Sequence, residues 1–509
     1  MHNILASSFQ STQPADWARQ EFAEAALPDQ RHHKRLHMIA TAFAQKPTAP
    51  IPQACGNWAE TKAAYRFFEN EAIPPEAIRQ PHHQATWQRV RQHPLILAVQ
   101  DTMALNYSTH PCTQGLGPIG SHSPKTIGLL LHSTLALTPK GEPLGFLHNA
   151  VRARRGRGLA ARRHQRPLAQ KESHKWLESL AACQAQAPSC PQTTLVNVTD
   201  REGDLYDLFV QALSVPEASR VHLLVRARHD RKLQDQDRTL WQTVARRPVA
   251  ATLKVHVGRR QDQPSRLALL HVRFAAVQLR APSRNAAQPS LQLWAMEARE
   301  VHPPKGSRPI LWRLLTTLPV TDAQAAVERV AWYAQRWQIE VIHKILKSGC
   351  QVEQRQLQTA PRLERVLSVD LVVAWRILAL CKTARELPDD PISQWLPTAH
   401  WQARSGAMSI EKPLPRTTRR RYGRPYVGLR SWEVFWDVRA MANLARSPCG
   451  AVCTNSTPWL RCGNSVMPTA EGKIVGNGVP PGEGETSGTR GWDVVEPFIP
   501  ATAPIRAAR

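Results

Sequence analysis

The stretch PLILAVQDTMALNYS, residues 94–108, decides the fold class. It reads as a β-type apolar run ending in a carboxylate, Asp101, followed by Thr102. IGLLLHSTLALT (127–138) and GEPLGFLHNAV (141–151) read as the next two strands, joined by a Pro-Lys-Gly-Glu turn, so the three form a meander. TTLVNVTDREGDLYDLFVQAL (193–213) reads as strand, turn and helix. Asp200 sits where that strand ends, the usual place for a functional group in an open α/β sheet. VHLLVRARHDRK (221–232) is a further strand, with Arg226, Arg228 and Arg231 at or beyond its end. The fold class is therefore α/β.

From about 235 to 320 the chain carries short alternating segments, ATLKVHVG, LALLHVRFAAVQL, SLQLWAMEARE and ILWRLLTTLPV. They predict a β-rich insertion. The run YAQRWQIEVIHKILK (333–347) follows. Tyr333, Arg336, Glu340 and Lys347 fall within roughly 60° of one another on a helix and form one polar stripe, while Ile339, Ile342, Ile345 and Leu346 fall opposite and are expected to be buried. The next helix, LERVLSVDLVVAWRILALCKTARE, is apolar almost all round and is expected inside the protein. Before the strands, residues 14 to about 90 read as helical, with Asp16 as a cap for DWARQEFAEAAL. Arg31–Arg35 start a basic helix, and Arg66 stands beside Tyr65 and Phe67.

The chain has 509 residues and a formal net charge of +26, which points to a polyanionic partner, most often nucleic acid. No apolar run reaches about 18 residues, so no transmembrane helix and no membrane partner are expected. The first residues lack the basic start and apolar core of a secretory signal. Nine cysteines without CxxC pairs fit a reduced cytosolic protein.

Three carboxylates share a setting. If the first and fourth strands are adjacent, Asp101 and Asp200 are neighbours, and a packed helix brings Glu340 beside them. Three convergent carboxylates suit Mg²⁺ or Mn²⁺. Two such ions about 4 Å apart can activate a water or a 3′-hydroxyl and stabilise the leaving oxygen of an in-line phosphoryl displacement.

These motifs, AVQDT, VTDREGDLYD and Y-x2-R-x3-E-x6-K, resemble those of the DDE transposases of bacterial insertion sequences, of the cut-and-paste IS-four type. The resemblance covers about residues 14 to 400 and includes DWARQEF, LPDQRHHKRL and AAYRFFEN. It implies a helical transposon-end DNA-binding domain over 1–90, and a ribonuclease H-like catalytic core over 91–400 interrupted by the β-strand insertion. It implies nicking at a transposon end, hairpin formation, hairpin opening and strand transfer. Asp101, Asp200 and Glu340 would be catalytic and hold two Mg²⁺ or Mn²⁺ ions. Tyr333, Arg336 and Lys347 would hold phosphates, and Trp312 would stack a flipped base. Arg226, Arg228 and Arg231 would lie near the active-site DNA, and Arg31 and Arg66 would contact the end. The partners implied are double-stranded DNA (terminal inverted repeats and target) and a second copy in a homodimeric synaptic complex; the location implied is the bacterial cytoplasm, on the nucleoid.

After about Gln402 the resemblance stops, and 401–509 reads as a divergent tail ending in a Gly- and Pro-rich stretch expected to be disordered. Back-translated from Arg421 and read from the third base of each codon, permitted codons spell LREAVRWVAQLGGFLG up to Asp437. That string is a good amphipathic helix ending in Gly-Gly, and it resembles the family's C-terminal dimer segment. A frameshift near codons 402–410 is the expectation, and the gene's DNA sequence checks it directly. An alternative reading follows: a catalytically impaired copy that occupies transposon ends.

Overall fold

The computed structural model describes residues 13–119, 126–154, 171–234, 237–257, 266–283, 287–307 and 309–386. The basic stretch 155–166 and the tail reading over 401–509 lie outside the described residues.

Among the described residues five helices come first: α1 (Pro14–Glu21), α2 (Gln30–Gln45), α3 (Ile51–Cys55), α4 (Trp58–Glu69) and α5 (Pro75–Val90). Their starts follow local chemistry. Asp29 caps α2 by accepting from the His32 N–H, and Asn57 caps α4 by accepting from the Glu60 N–H. Asp16 is not the cap of α1 expected from the sequence. Pro14, whose fixed φ suits a first turn, starts that helix and leaves Asp16 inside it.

The strands are β1 (Leu95–Asn106), β2 (Gly117–Pro118), β3 (Ile127–Leu137) and β4 (Pro143–Arg152). After α6 (His174–Gln186) come β5 (Thr194–Thr199), α7 (Tyr206–Leu213), β6 (His222–Arg226) and α8 (Leu240–Ala245). The insertion supplies β7 (Ala251–Val257), β8 (Arg266–Leu279), β9 (Leu291–Val301) and β10 (Leu311–Thr316). The chain then runs through α9 (Ala323–Ala334), α10 (Gln338–Lys344) and the long α11 (Ala360–Glu386).

The ten strands of the described residues form one mixed sheet in the order β2-β3-β1-β5-β6-β10-β9-β8-β7, with β4 on the other side of β3. β3 and β4 run antiparallel to their neighbours, whereas β1, β5 and β6 are mutually parallel. The four alternating segments of the insertion are β7–β10, and antiparallel pairing of β10 with β6 makes them a continuation of the central sheet. β1 is buried on both faces. Leu97 and Val99 enter one core with α9–α11, and Ile96 and Ala98 enter the other with α6–α8. Two-sided burial explains why its sequence reads as a continuous apolar run instead of an alternation.

The N-terminal helices do not have a core of their own. Trp17, Phe22, Leu36, Phe43 and Phe68 belong to the cluster that holds Tyr333 and Trp375. A buried polar lock adds to this contact. Glu21 of α1 accepts from Arg89 at 2.7 Å and lies 2.6 Å from His82 Nδ1, while the Phe146 N–H donates to His82 Nε2 at 2.9 Å. Nε2 is thus the acceptor and the ring is neutral. Burial pushes its pKa down to about 4. Burial opposes ionisation of Glu21, but Arg89 and His82 hold its pKa below the usual value. Both depressed values carry the same sign: the unfolded chain takes up protons first, so stability is lost as pH falls from about 6.5 towards 4. Relative to wild type, His82→Gln is expected to make Tm less sensitive to acid across that window.

Candidate active site and nucleic-acid face

Parallel pairing of β1 with β5 ends at Val99↔Val198. Continuing that register places Asp101 level with Asp200. Asp101 is not at the end of its strand, as its sequence predicts. β1 runs on to Asn106 against β3, with Asp101 opposite Ser133. The parallel neighbour stops first, so Asp101 stands where the sheet opens on one side only. Asp200 follows β5 directly and caps a short 3₁₀ turn by accepting from the Glu202 N–H at 2.8 Å.

The helical run that carries Glu340 packs on the same face of β1. The turn between β3 and β4 approaches it closely: Gly141 has φ +84°, and a Cβ there would collide with Gln335. The stripe from Tyr333 to Lys347 is continuous but does not lie on one regular helix. Tyr333 is in α9, Arg336 in a 3₁₀ turn, Glu340 in α10 and Lys347 in a π-helical turn at Ile345–Gly349. Ile339, Ile342, Ile345 and Leu346 are buried, as their spacing predicts.

Arg336 links the carboxylates. It pairs with Glu340 and lies 3.6 Å from Asp101 Oδ2. Burial lifts the Asp101 pKa to about 7; Arg336 opposes the rise, and the charges of Asp200 and Glu340 add to it. Asp101 therefore senses the other two carboxylates. Among the described residues no three His, Cys, Asp or Glu side chains stand close enough to hold a metal ion as they are placed. Glu340 is turned to Arg336 and Asp200 to its own turn. The donor set still fits a hard divalent cation in kind, since three acidic oxygen donors include a carboxyl whose ionisation is opposed first by burial and then by like charge, and a cation relieves both.

The basic residues divide. Arg336 is only 3% exposed and Tyr333 is fully buried, so both brace the site from inside and do not present a phosphate-binding surface. Tyr333 lies 3.5 Å from Arg226 through its hydroxyl, and its ring meets Trp312 edge-on at 5.7 Å. Trp312 is 2% exposed; as placed, its indole is a core residue with no face open to a base, because β10 directs it into the cluster around Tyr333. Lys347 is half-exposed and pairs with Glu353 at 3.2 Å, and Glu353 accepts from the Asn106 N–H at the far end of β1. Arg228 is exposed, whereas Arg231 is held at 2.6 Å by the buried Asp204. Asp204 also accepts from the Arg228 and His229 N–H groups. It thereby shapes the loop after β6, a role hidden in the sequence because Asp200 and Asp207 surround it.

Sequence reasoning also passed over His343. It lies three residues after Glu340 on the same stripe, and burial holds its pKa down at about 3. Its helical spacing was the available signal.

The N-terminal helices offer a second surface. α2 exposes Arg31, Lys34 and Met38, and α4 exposes Trp58, Lys62 and Arg66 along one side. The two helices are joined by the Arg35–Glu60 pair at 2.9 Å. Trp58 is 76% exposed, an indole with no structural reason to face solvent. Residues 14–73 match the family described as transposase DNA-binding. The partner of this region is DNA. Trp58 was missed in the sequence because a tryptophan at a helix start reads as core. Lys62→Ala and Arg66→Ala are each expected to reduce the slope of log K against log salt by about 1, with little change in sequence preference, if each contacts one phosphate.

A solved structure, the cryo-EM structure of piggyBac transposase synaptic complex with hairpin DNA, is similar at 9% identity and a TM-score of 0.33, over 82% of this chain and 84% of that chain. Likeness at that level decides neither fold nor activity. No described helix is long and apolar enough to cross a membrane.

Proposed function

We propose that this chain is a DDE transposase of the cut-and-paste IS-four type, which binds transposon ends through α1–α4 and cleaves them at Asp101, Asp200 and Glu340. One observation carries the reading: β1 and β5 pair in parallel so that Asp101 and Asp200 come level, and Arg336 ties Asp101 to Glu340. The strand order β4-β3-β1-β5-β6, with its antiparallel then parallel directions, supports a ribonuclease H-like core.

Asp101, Asp200 and Glu340 would hold Mg²⁺ or Mn²⁺, which when bound supplies Lewis-acid stabilisation of phosphoryl-transfer charge. Arg336 keeps Asp101 and Glu340 on one side of the site before the metal arrives. Tyr333 and Trp312 wall that side against water. Lys347 and Arg228, the more exposed cations near the strand ends, are the residues placed to meet DNA phosphates. The homodimer belongs to the same proposal.

A second reading is a DNA-binding copy impaired in catalysis. The ion pair that turns Glu340 to Arg336 favours it, as does the tail expected to be shifted out of frame. Incubation of the chain with its own terminal inverted repeats and Mg²⁺, beside a frame-restored version, separates the two. Nicked and hairpin products from the present chain support a competent transposase. End binding without cleavage, rescued by frame repair, supports the second reading. No cleavage by either version would remove the catalytic assignment.

A further inference from the structure

The face of the sheet opposite Asp101 carries a buried polar layer. Alternation along β1 sends Asp101 to the α10 side with Leu97 and Val99, and sends Gln100 and Thr102 to the other side with Ile96 and Ala98. On β3, His132 lies opposite Thr102. Its Nδ1 is 2.8 Å from the Thr102 hydroxyl, and its Nε2 is 3.1 Å from Gln100 Oε1. The ring is buried and meets Trp176 edge-on at 4.8 Å. Burial first, then the charge of Lys175, holds its pKa well below the ordinary value, so the imidazole is neutral. One nitrogen then donates and the other accepts. The Gln100 carbonyl assigns the proton to Nε2, which leaves Nδ1 to accept from Thr102.

Thr134, Asn197 and Thr199 are fully buried too, and Asn197 and Thr199 lead along β5 to Asp200. Side-chain atoms of these three residues have no protein partner. A half-satisfied polar layer is less stable than an apolar one, so what it holds in place matters. Thr102 is where it reaches the catalytic face: the Thr102 N–H donates to Asp101 Oδ1 at 2.7 Å.

We propose that His132 is a positioning residue for Asp101. Gln100 fixes the ring, the ring fixes the Thr102 side chain, and the Thr102 peptide holds the Asp101 carboxylate towards Asp200 and Glu340. The proposal rests on the reading of Asp101 as a metal ligand. Partners that orient a ligand in this way are worth about 10–100-fold in metal affinity.

Calorimetric titration of the full-length chain with Mn²⁺, without DNA, tests it, alongside end binding in EDTA. His132→Leu and Thr102→Val keep volume and lose the polar contact; His132→Asn and Thr102→Ser keep a polar atom near the same place. The Leu and Val variants are expected to bind Mn²⁺ about 10–100-fold more weakly, the Asn and Ser variants to stay near wild type, and all four to bind ends normally in EDTA. Wild-type Mn²⁺ affinity in the Leu and Val variants, or equal weakening in all four, would overturn the proposal. If His132→Leu does not fold, the two Thr102 variants decide alone. Mn²⁺ binding that Glu340→Gln weakens while His132→Leu and Thr102→Val leave it unchanged overturns this proposal and spares the metal-site reading. Absence of Mn²⁺ binding by the wild type overturns both.

Discussion

Asp101→Asn is expected to lower the rate of DNA-end cleavage by at least about 10²–10³-fold, the loss seen when one electrostatic partner of a transition state is removed. End binding in EDTA is expected to stay at the wild-type level, because α1–α4 lie apart from β1 in sequence and carry their own basic face. The substitution keeps the shape of the side chain and its acceptor for the Thr102 N–H, and removes only the charge. A second readout distinguishes lost chemistry from lost folding. In the metal-free chain Asp101 has a pKa of about 7 against an ordinary 3.8, so unfolding releases a proton between these values. The Asp101 contribution to stability therefore falls as pH rises from about 4 to 7, by at most about 1.4 kcal/mol for each pH step of one, and runs against the His82 and Glu21 contributions, which weaken on acidification. Asp101→Asn should flatten that fall and raise Tm above pH 7. Retained cleavage would remove Asp101 from the active site. An unchanged pH dependence of stability would show that the carboxyl is not held protonated.

Arg355→Met is expected to destabilise the fold by about 3–5 kcal/mol, because it leaves a buried charge uncompensated. Arg355 joins three parts of the chain. It pairs with Asp370 of α11 through two hydrogen bonds, at 2.8 and 3.1 Å, donates to the Ala49 carbonyl at 2.8 Å, and stacks over Phe43 of α2 at 4.4 Å. Asp370 is 1% exposed, and burial raises its pKa even with Arg355 beside it. Without the guanidinium that carboxyl must take up a proton or draw in water. Arg355→Met combined with Asp370→Leu is expected to recover most of the loss, since an apolar pair removes the stranded charge. Denaturant unfolding of the two variants measures both outcomes. A single substitution as stable as the wild type would mean that Asp370 is already neutral in the native chain.

Much of the arrangement around the candidate site was legible because it rests on local rules. The strand runs, the carboxylates at Asp101 and Asp200, and the spacing from Tyr333 to Lys347 are all patterns of period 2 or 3.6. What escaped depends on partners distant in sequence. Asp101 seemed to end its strand because the apolar run stops there, yet β3 pairs with β1 for five residues more. Arg231 looked like a free cation; its partner Asp204 is 27 residues away. Trp312 looked like a base-stacking platform, and only the packing of β10 against Tyr333 shows it as core. The 3₁₀ and π turns within the Tyr333–Lys347 run reflect how side chains seat on the sheet, which spacing alone does not encode.

The shared core of α1–α4 and α11 bears on how such a chain can change over generations. Arg365 of α11 donates to the carbonyls of Phe68 and Ile73, and Arg79 reaches Glu364 and Ser368. The DNA-reading helices are thus not a detachable module. Recombination that exchanged them for those of another protein would strand buried arginines on the acceptor side. New DNA preferences are accessible instead through point changes on the exposed side of α2 and α4, where Trp58, Lys62 and Arg66 can vary without disturbing what lies beneath.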